Sequence, residues 1–507
     1  MDDVLAQNVL AIQQLDSSLS KEQLSQFLLT RRIGLILSDD APVHQVALRT
    51  AANLLCRNSF QVFVGADSTR LNQVMSEAEF LGLHYRSLSG LDRYDLTISI
   101  GSERPDADLC AFASGWNVLV ASGARNHVIA QPSNEICGAL LGVLIAAAAF
   151  NRTVGPILGK LQFEPELNIC VLDYSSSISR LPAVLTPIYI PHATLIGCGA
   201  IGNAFVYALS ALPELAGILH IVDPDWFTKT NSHRYMLARI NDARTRRLFK
   251  TIRAKEFLAH HSQLKVQGYE KNFQQFLEDD CDDRRVPFMI SAVDDHAKRR
   301  QLGRETPLEA INASTGSFTL AATTHYGAYD LQESPCIGCH YPYRTAETER
   351  HTVIARETGL SLSEVECLST GNAPMTLTLL DAIAAFRGLP GKKYVEFEGQ
   401  PFDSFYQHGI CGGAEVATND GKLEIPLAHV SAAAGVLLAA ELIKRFTPEL
   451  RQYALDNFLQ LDMLNLTSEW FRQKKSARMD CECRRDIYQR RFAEKYSNRM
   501  ENGRQTI

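Results

Sequence analysis

A chain of 507 residues exceeds what one ordinary hydrophobic core fills, so two or three domains are expected. Its 46% hydrophobic and 21% charged residues fit a folded, water-soluble chain with no low-complexity run. A net charge of −6 argues against a dedicated nucleic-acid surface.

The opening stretch "MDDVLAQNVLAIQQLDSSLSKEQL" carries acids early and has no apolar segment of secretion-signal type, so a cytoplasmic location is expected. Twelve cysteines are then expected as reduced thiols or metal ligands, not as a disulfide framework. From Arg31 to about Asn151 the apolar runs "IGLIL", "FQVFVG", "DLTISIG" and "WNVLVASG" alternate with helical stretches, which predicts parallel strands joined by crossover helices. The first of these strands runs into "SDDAPVH", not glycines, so this half lacks a phosphate cradle. The most apolar stretch, Cys137 to Phe150, is too short to span a bilayer and reads as a buried helix, so no membrane partner is expected. Residues from Gly155 to Pro191, including "NICVLDYSSS", read as a link to the second half.

The second α/β unit opens with "ATLIGCGAIGNAF" and continues through "ILHIVDPD", "RVPFMISAVDD" and "INASTGSFTLAATTHYG". From Cys339 to about Leu427 the pattern breaks into short helices and turns, which reads as an insertion. "PLAHVSAAAGVLLAAELIKRF" returns to the core as a helix, and a charged tail comes after Asp480, its last 20 or so residues frayed or disordered. In the strand-to-helix turn, Gly197 allows the bend, Gly199 lets a phosphate approach the backbone, and Gly202 permits close helix packing. The N-terminus of the next helix offers free N–H groups to an anion. Asp223 ends the next strand, where an acid can bind ribose hydroxyls; a glycine turn that only packs is the alternative.

A dinucleotide oxidoreductase would also use such a turn. The loop beyond Asp223 fits a triphosphate better: "DPDWFTKTNSHRYM" supplies Asp225, and its Asn231 and Arg234 are donors suited to β and γ phosphates. Asp294, at the end of "SAVDD", is placed to hold Mg²⁺ near the α-phosphate.

This linked set resembles the ThiF/MoeB and ubiquitin-activating enzymes, which carry G-x-G-x-x-G, D-x-D, N-x-x-R and a strand ending D-[DN]. Here those stand as Gly197/Gly199/Gly202, Asp223/Asp225, Asn231/Arg234 and Asp294/Asp295, and the likeness covers roughly Pro191 to Arg484. The resemblance implies a Rossmann-like parallel sheet of the adenylation type and ATP-dependent adenylation of the C-terminal glycine of a small ubiquitin-like β-grasp protein. Asp223 would bind ribose, Asn231 and Arg234 phosphates, and Asp294 Mg²⁺, with Arg234 also stabilising charge on the phosphate during adenylation. The family's phosphate lysine would be Lys250, with Arg247 the alternative, and its arginine finger would come from the N-terminal region, where Arg31 and Arg32 are candidates. "DLTISIGSERPDADL" and "GWNVLVASGA" resemble bacterial relatives of antiphage conjugation systems. Residues 1–160 would thus form an inactive adenylation-like half. Residues 161–507 would be the active domain: an ATP-binding core at about 191–335, a cysteine-bearing insertion at 340–425, and a core helix with a zinc-bound tail at 426–490.

Two cysteine systems stand out. Cys336-x-x-Cys339 and Cys481-x-Cys483 form a four-thiolate set suited to a closed, structural Zn²⁺ site that pins the tail to the sheet; CxxC alone also fits a redox pair. Cys56, Cys110, Cys137, Cys170 and Cys198 lie in apolar runs and read as buried small hydrophobes, and the acids around Cys281 are expected to raise its pKa. A carboxylate needs activation before a thiol can capture it, and the capturing sulfur must move to the adenylate. Cys411, in the glycine-flanked "QHGICGGAEV" with His408 nearby, is favoured as that nucleophile over Cys367, a position before the late core helix that the family resemblance also implies. The partners then expected are a ubiquitin-like protein and a ubiquitin-conjugating-type enzyme, with a homo-oligomer also possible. The rival readings are sulfur-carrier activation, a nucleotide-sensing scaffold without chemistry, and a nicotinamide oxidoreductase.

Overall fold

The computed structural model describes residues 2–16, 18–88, 93–123, 131–158, 166–179, 181, 183, 187–228, 231–239, 248–316, 319–325, 334–341, 346–371, 373–406, 410, 416–417, 423–468, 470–479 and 481–502. Two mostly parallel sheets organise them. The first contains β1 (Arg32–Leu37), β2 (Gln61–Gly65), β3 (Tyr85–Ser87), β4 (Leu96–Ile100), β5 (Leu109–Ser114), β6 (Asn117–Ser122) and β7 (Glu166–Cys170). The second contains β8 (Ile188–Ile196), β9 (Leu215–Val222), β10 (Gln263–Tyr269), β11 (Phe288–Ser291), β12 (Glu309–Thr315) and β13 (Thr319–His325). After a two-stranded ribbon of β14 (Val416–Ala417) and β15 (Leu423–Glu424), that sheet is completed by β16 (Phe458–Asp462) and β17 (Phe471–Gln473).

The strand orders are β3-β2-β1-β4-β5-β6-β7 and β10-β9-β8-β11-β12-β13-β16-β17. In each, the first five are parallel and the next two antiparallel, so the second sheet repeats the first strand for strand and adds β17 at its edge. The fold is the Rossmann-like α/β class that the family resemblance implies, with the parallel strands and crossover helices expected from the alternating apolar runs. The sequence reading takes "INASTGSFTLAATTHYG" as one run, whereas it folds as the β12–β13 hairpin, and "NICVLDYSSS" opens with the last three residues of β7 instead of forming a plain link.

Long helices sit at equivalent places in the two lobes. Glu135–Leu158 crosses between β6 and β7, and Ala428–Phe446 crosses between β13 and β16. The first is longer than its apolar centre suggests, 24 residues, and by length and composition alone could cross a membrane. It is spent instead on the interior: 89% of its apolar window is buried in the protein. It lies against Pro42–Arg57 so closely that a Cβ on Gly138 would fall 2.3 Å from the Val43 carbonyl oxygen. Ala428–Phe446 approaches Ala200–Ser210 in the same way, at Gly435. The two long helices also pack on each other, with the rings of Phe150 and His429 5.3 Å apart. One hydrophobic core therefore runs through both lobes, from Val9 to Trp470.

The lobes differ at the strand ends where a ligand would enter. After β1 the chain turns back, and Asp39 accepts hydrogen bonds from Ala41 N and His44 Nδ1. Its carboxylate presses on Gly101, where a Cβ would meet Asp39 Cγ at 2.5 Å. The second lobe leaves this space open. A separate apolar cluster, including Ile354, Val365, Ile383, Phe402 and Phe405, holds the helical insertion together. Against the expected fraying, the described part of the tail, Asp486–Asn502, is a helix, with Phe492 and Tyr496 buried against the Cys336/Cys339/Cys483 cluster.

Candidate nucleotide site and cysteine cluster

A cavity of about 710 Å³ opens at the carboxyl ends of β8, β9 and β11, where the strand order reverses. In a doubly wound sheet this crevice is where ligands bind. Gly197 has φ +89°, and a Cβ there would lie 2.9 Å from Ala292 O. At Gly202 a Cβ would be 2.2 Å from Gly197 O, so the turn and its helix touch backbone to backbone. Gly199 is different: its nearest neighbour would be Tyr235 Oη at 3.6 Å. The space a side chain would take there is left to the cavity, beside the free N–H groups opening the Ala200–Ser210 helix.

Asp223 Oδ2 accepts from Cys198 N at 2.6 Å and Oδ1 from Asp225 N at 2.9 Å, tying the glycine turn to the end of β9. Lys250 Nζ lies 2.9 Å from Asp225 Oδ2 and 3.5 Å from Asp223 Oδ1. Lys250 is 2% and Asp223 4% exposed. Burial pulls the lysine's pKa down, but the two carboxylates outweigh it and hold Lys250 well above its ordinary value. Burial conversely pushes Asp223 up, against the pull of Lys250. The three groups form one buried charge cluster on the cavity wall, of which Asp225 is the most exposed.

Of the other residues singled out from sequence, Arg234 and Asp294 line the cavity. Asn231 is fully buried behind it: its Oδ1 accepts from Thr228 N at 3.0 Å, while Nδ2 finds no hydrogen-bond partner among the described residues. Arg31 pairs with Asp95 at 2.7 Å and lies over Phe27, Arg32 lies over Phe63, and neither borders the cavity. Arg247, His408 and Cys411 lie outside the described residues. Cys367 is exposed on the Leu362–Gly371 helix. Cys110, Cys137, Cys170 and Cys198 are buried, and Cys56 is partly so. The Cys281 thiol is raised as expected, though burial contributes more than the neighbouring Asp282.

Several lining residues carry no sequence motif. Lys298 sits in the first turn of the His296–Arg304 helix, whose N-cap Asp295 accepts from Lys298 N at 2.9 Å. Its ammonium faces Asp294, Asp295 and Asp403, and despite the opposing pull of burial these carboxylates hold its pKa raised. Asp403, Ser404 and His351 reach the cavity from the helical insertion, which therefore forms part of the wall.

The chemistry of these donors fits a nucleoside triphosphate with a divalent cation. The glycine turn leaves room for phosphate, the Asp223 carboxylate lines the cavity beside it, and Arg234 and Lys298 supply positive charge. Asp294 supplies hard oxygen atoms of the kind Mg²⁺ takes.

The second site is the cysteine cluster. The four sulfurs of Cys336, Cys339, Cys481 and Cys483 all lie within 4.8 Å of one another. Three separations are 3.9, 3.7 and 3.7 Å, for Cys336–Cys339, Cys336–Cys481 and Cys339–Cys483. A tetrahedron with Zn–S bonds of about 2.3 Å has S···S edges of about 3.8 Å, so the residues fit a structural zinc ion. The cluster is joined mechanically to the cavity wall. A Cβ on Gly303, in the His296–Arg304 helix, would meet Gly338 N at 2.9 Å, and Arg304 grips Glu482 with two hydrogen bonds.

A model of the ThiF family matches residues 190–484. An uncharacterized protein, y4jF, of Sinorhizobium fredii is 28% identical over 357 residues, covering 68% of this chain; the chain spans 66% of that relative's length. Among solved structures, E. coli MccB is similar at 14% identity and a TM-score of 0.36, over 74% of this chain and 94% of that one. E. coli MccB with ATP is similar at 13% identity and a TM-score of 0.34, over 74% and 97%.

Proposed function

The chain belongs to the ThiF family, and from that premise we propose that it is an adenylating enzyme that activates a ubiquitin-like β-grasp protein at its C-terminal glycine. The observation carrying this reading is the single cavity wall that brings together the glycine turn, Asp223, Asp225, Lys250, Arg234 and Asp294. ATP would lie with its phosphates over Gly199 and its ribose at Asp223. A C-terminal carboxylate oxygen attacks the α-phosphorus, the bond to the bridging oxygen of the β-phosphate breaks, and pyrophosphate leaves with the electron pair. Arg234 and the helix N–H groups are fixed donors toward the charge that builds on the phosphates, and fixed donors need no reorganisation during reaction. Mg²⁺ at Asp294 would neutralise phosphate charge.

In the second step the Cys411 thiolate attacks the acyl carbon of the adenylate, the C–O bond breaks and AMP departs. The thioester keeps the acyl group reactive for transfer to the cysteine of a conjugating-type enzyme. Cys411 lies in a segment between the helical insertion, which contributes Asp403 to the cavity, and the Ala428–Phe446 helix, which contributes Ser431; this supports its assignment as the acceptor. The thiolates of Cys336, Cys339, Cys481 and Cys483 would hold Zn²⁺ in a structural role.

The test is to mix the chain with ATP, Mg²⁺ and candidate Gly-terminated β-grasp proteins, and to follow pyrophosphate exchange and thiol-sensitive adducts on non-reducing gels. Cys411→Ala should abolish the adduct and leave exchange intact. Loss of the adduct in Cys367→Ala instead would move the acceptor there. Absence of exchange with every such protein would refute the adenylation reading.

A further inference from the structure

The loop carrying Asn231 and Arg234 belongs to the second lobe, yet its backbone is held by a side chain of the first. Arg57 ends the Pro42–Arg57 helix and is 1% exposed. Its Nη1 donates to Ser232 O, and its Nη2 to Met236 O at 3.1 Å and Ala238 O at 2.9 Å. Its Nε donates to Asn53 Oδ1 at 2.6 Å, and Asn53 Nδ2 in turn donates to Met236 O at 3.2 Å. Three carbonyls of one loop thus converge on a single guanidinium, with no carboxylate among its described partners. A second contact between the lobes lies nearby: Arg239 sits 3.7 Å over the ring of Phe80, a first-lobe residue.

A buried cation is costly unless its hydrogen bonds are met, and buried carbonyls are costly without donors. Each satisfies the other here, and only while the loop keeps this shape. Arg234 and Tyr235 lie inside the stretch that these carbonyls bracket, and both line the nucleotide cavity. We infer that Arg57 is a positioning residue: the first lobe, whose own crevice is filled, sets the conformation of the phosphate-binding loop of the second. This inference rests on the adenylation reading for the role of Arg234, but not for the contact itself. The planar fork matters, because a lysine ammonium in the same place cannot direct donors to three carbonyls and to Asn53 at once.

The test uses the full chain with ATP·Mg²⁺ as the probe, measured by titration calorimetry, together with amide hydrogen exchange over residues 231–239. Arg57→Lys keeps the charge and is expected to weaken ATP·Mg²⁺ binding by about 10- to 100-fold, the worth of one charge-assisted hydrogen bond to phosphate. Exchange should quicken in that loop while the amides of β8 and the Ala428–Phe446 helix stay protected. In Arg57→Ala, added guanidinium should restore part of the binding. Unchanged affinity in a folded Arg57→Lys protein would overturn the inference, as would loss of protection spread evenly over both lobes. Arg234→Ala separates the two levels. If it binds ATP·Mg²⁺ as the unaltered chain does, the adenylation reading fails and this inference with it; if it binds weakly while Arg57→Lys does not, only the inference fails.

Discussion

Replacing Lys250 with methionine removes the one cation from a buried cluster that contains two acids. With Nζ at 2.9 and 3.5 Å from Asp225 and Asp223, each attraction is on the order of 5 kcal/mol at an effective dielectric constant of about 20. Most of that offsets the cost of bringing three charges out of water, and breaking such a pair from one side typically costs about 3–5 kcal/mol. The loss should depend on pH in a defined direction. Asp223 is already pushed up by burial, and without Lys250 its folded-state pKa rises further above its unfolded value. A group with a raised folded pKa contributes stability that is present at low pH and lost as pH rises through that pKa. Between the two pKa values the Lys250→Met protein should therefore lose stability by up to about 1.4 kcal/mol per pH unit on going up. The assay is urea denaturation of the unaltered and substituted chains at pH 5, 6 and 7, monitored by circular dichroism. The substituted chain should be weakest at pH 7 and recover toward pH 5, and adding Asp223→Asn, which removes the titrating carboxyl, should flatten that pH dependence. A Lys250→Met protein that unfolds like its parent at every pH would refute the reasoning.

Cys339→Ser should lower the zinc content found by elemental analysis and loosen the start of the Asp486–Asn502 helix, seen as faster amide exchange there, because the thiolate cluster is one of the tail's ties, beside the hydrogen bonds of Arg491 and Lys495 to Glu305 and of Tyr496 to Val286 O. A chelator strong enough to strip zinc should have the same effect on the unsubstituted chain. Asp294→Asn should weaken ATP binding measured with Mg²⁺ and leave nearly unchanged the weaker binding measured in EDTA. Asp223→Ala leaves the Cys198 and Asp225 amides without their acceptor, at a cost of about 1–3 kcal/mol for each buried donor so orphaned; a thermal melt would register it.

How much is legible in the sequence depends on the reach of each signal. The glycine turn and the acids at the ends of β9 and β11 are legible because each sits at a strand end, and strand ends in this topology share one crevice; Arg234 is legible as a phosphate donor in the loop that follows β9. The four cysteines are legible as two closely spaced pairs, read together with the family's similar arrangement. Lys298, His351 and Asp403 are not, because only tertiary packing brings the insertion and the His296–Arg304 helix to the cavity. The terminal helix escapes a sequence reading for a similar reason: "RRDIYQRRFAEKYSNRM" is strongly charged, and its buried pair Phe492 and Tyr496 finds its apolar surface against the cysteine cluster. Arg57 reads as an ordinary cation at a helix C-terminus; nothing local indicates that its donors serve carbonyls in the 232–238 stretch of the other lobe.

A shared interior has a kinetic meaning for the two repeated halves. Where an enzyme is built from separate subunits, dilution lowers the fraction assembled and each half can exchange for another. Here the partner of each half is covalently its own, so the arrangement that holds Arg57 against the Ser232–Ala238 carbonyls cannot be lost on dilution.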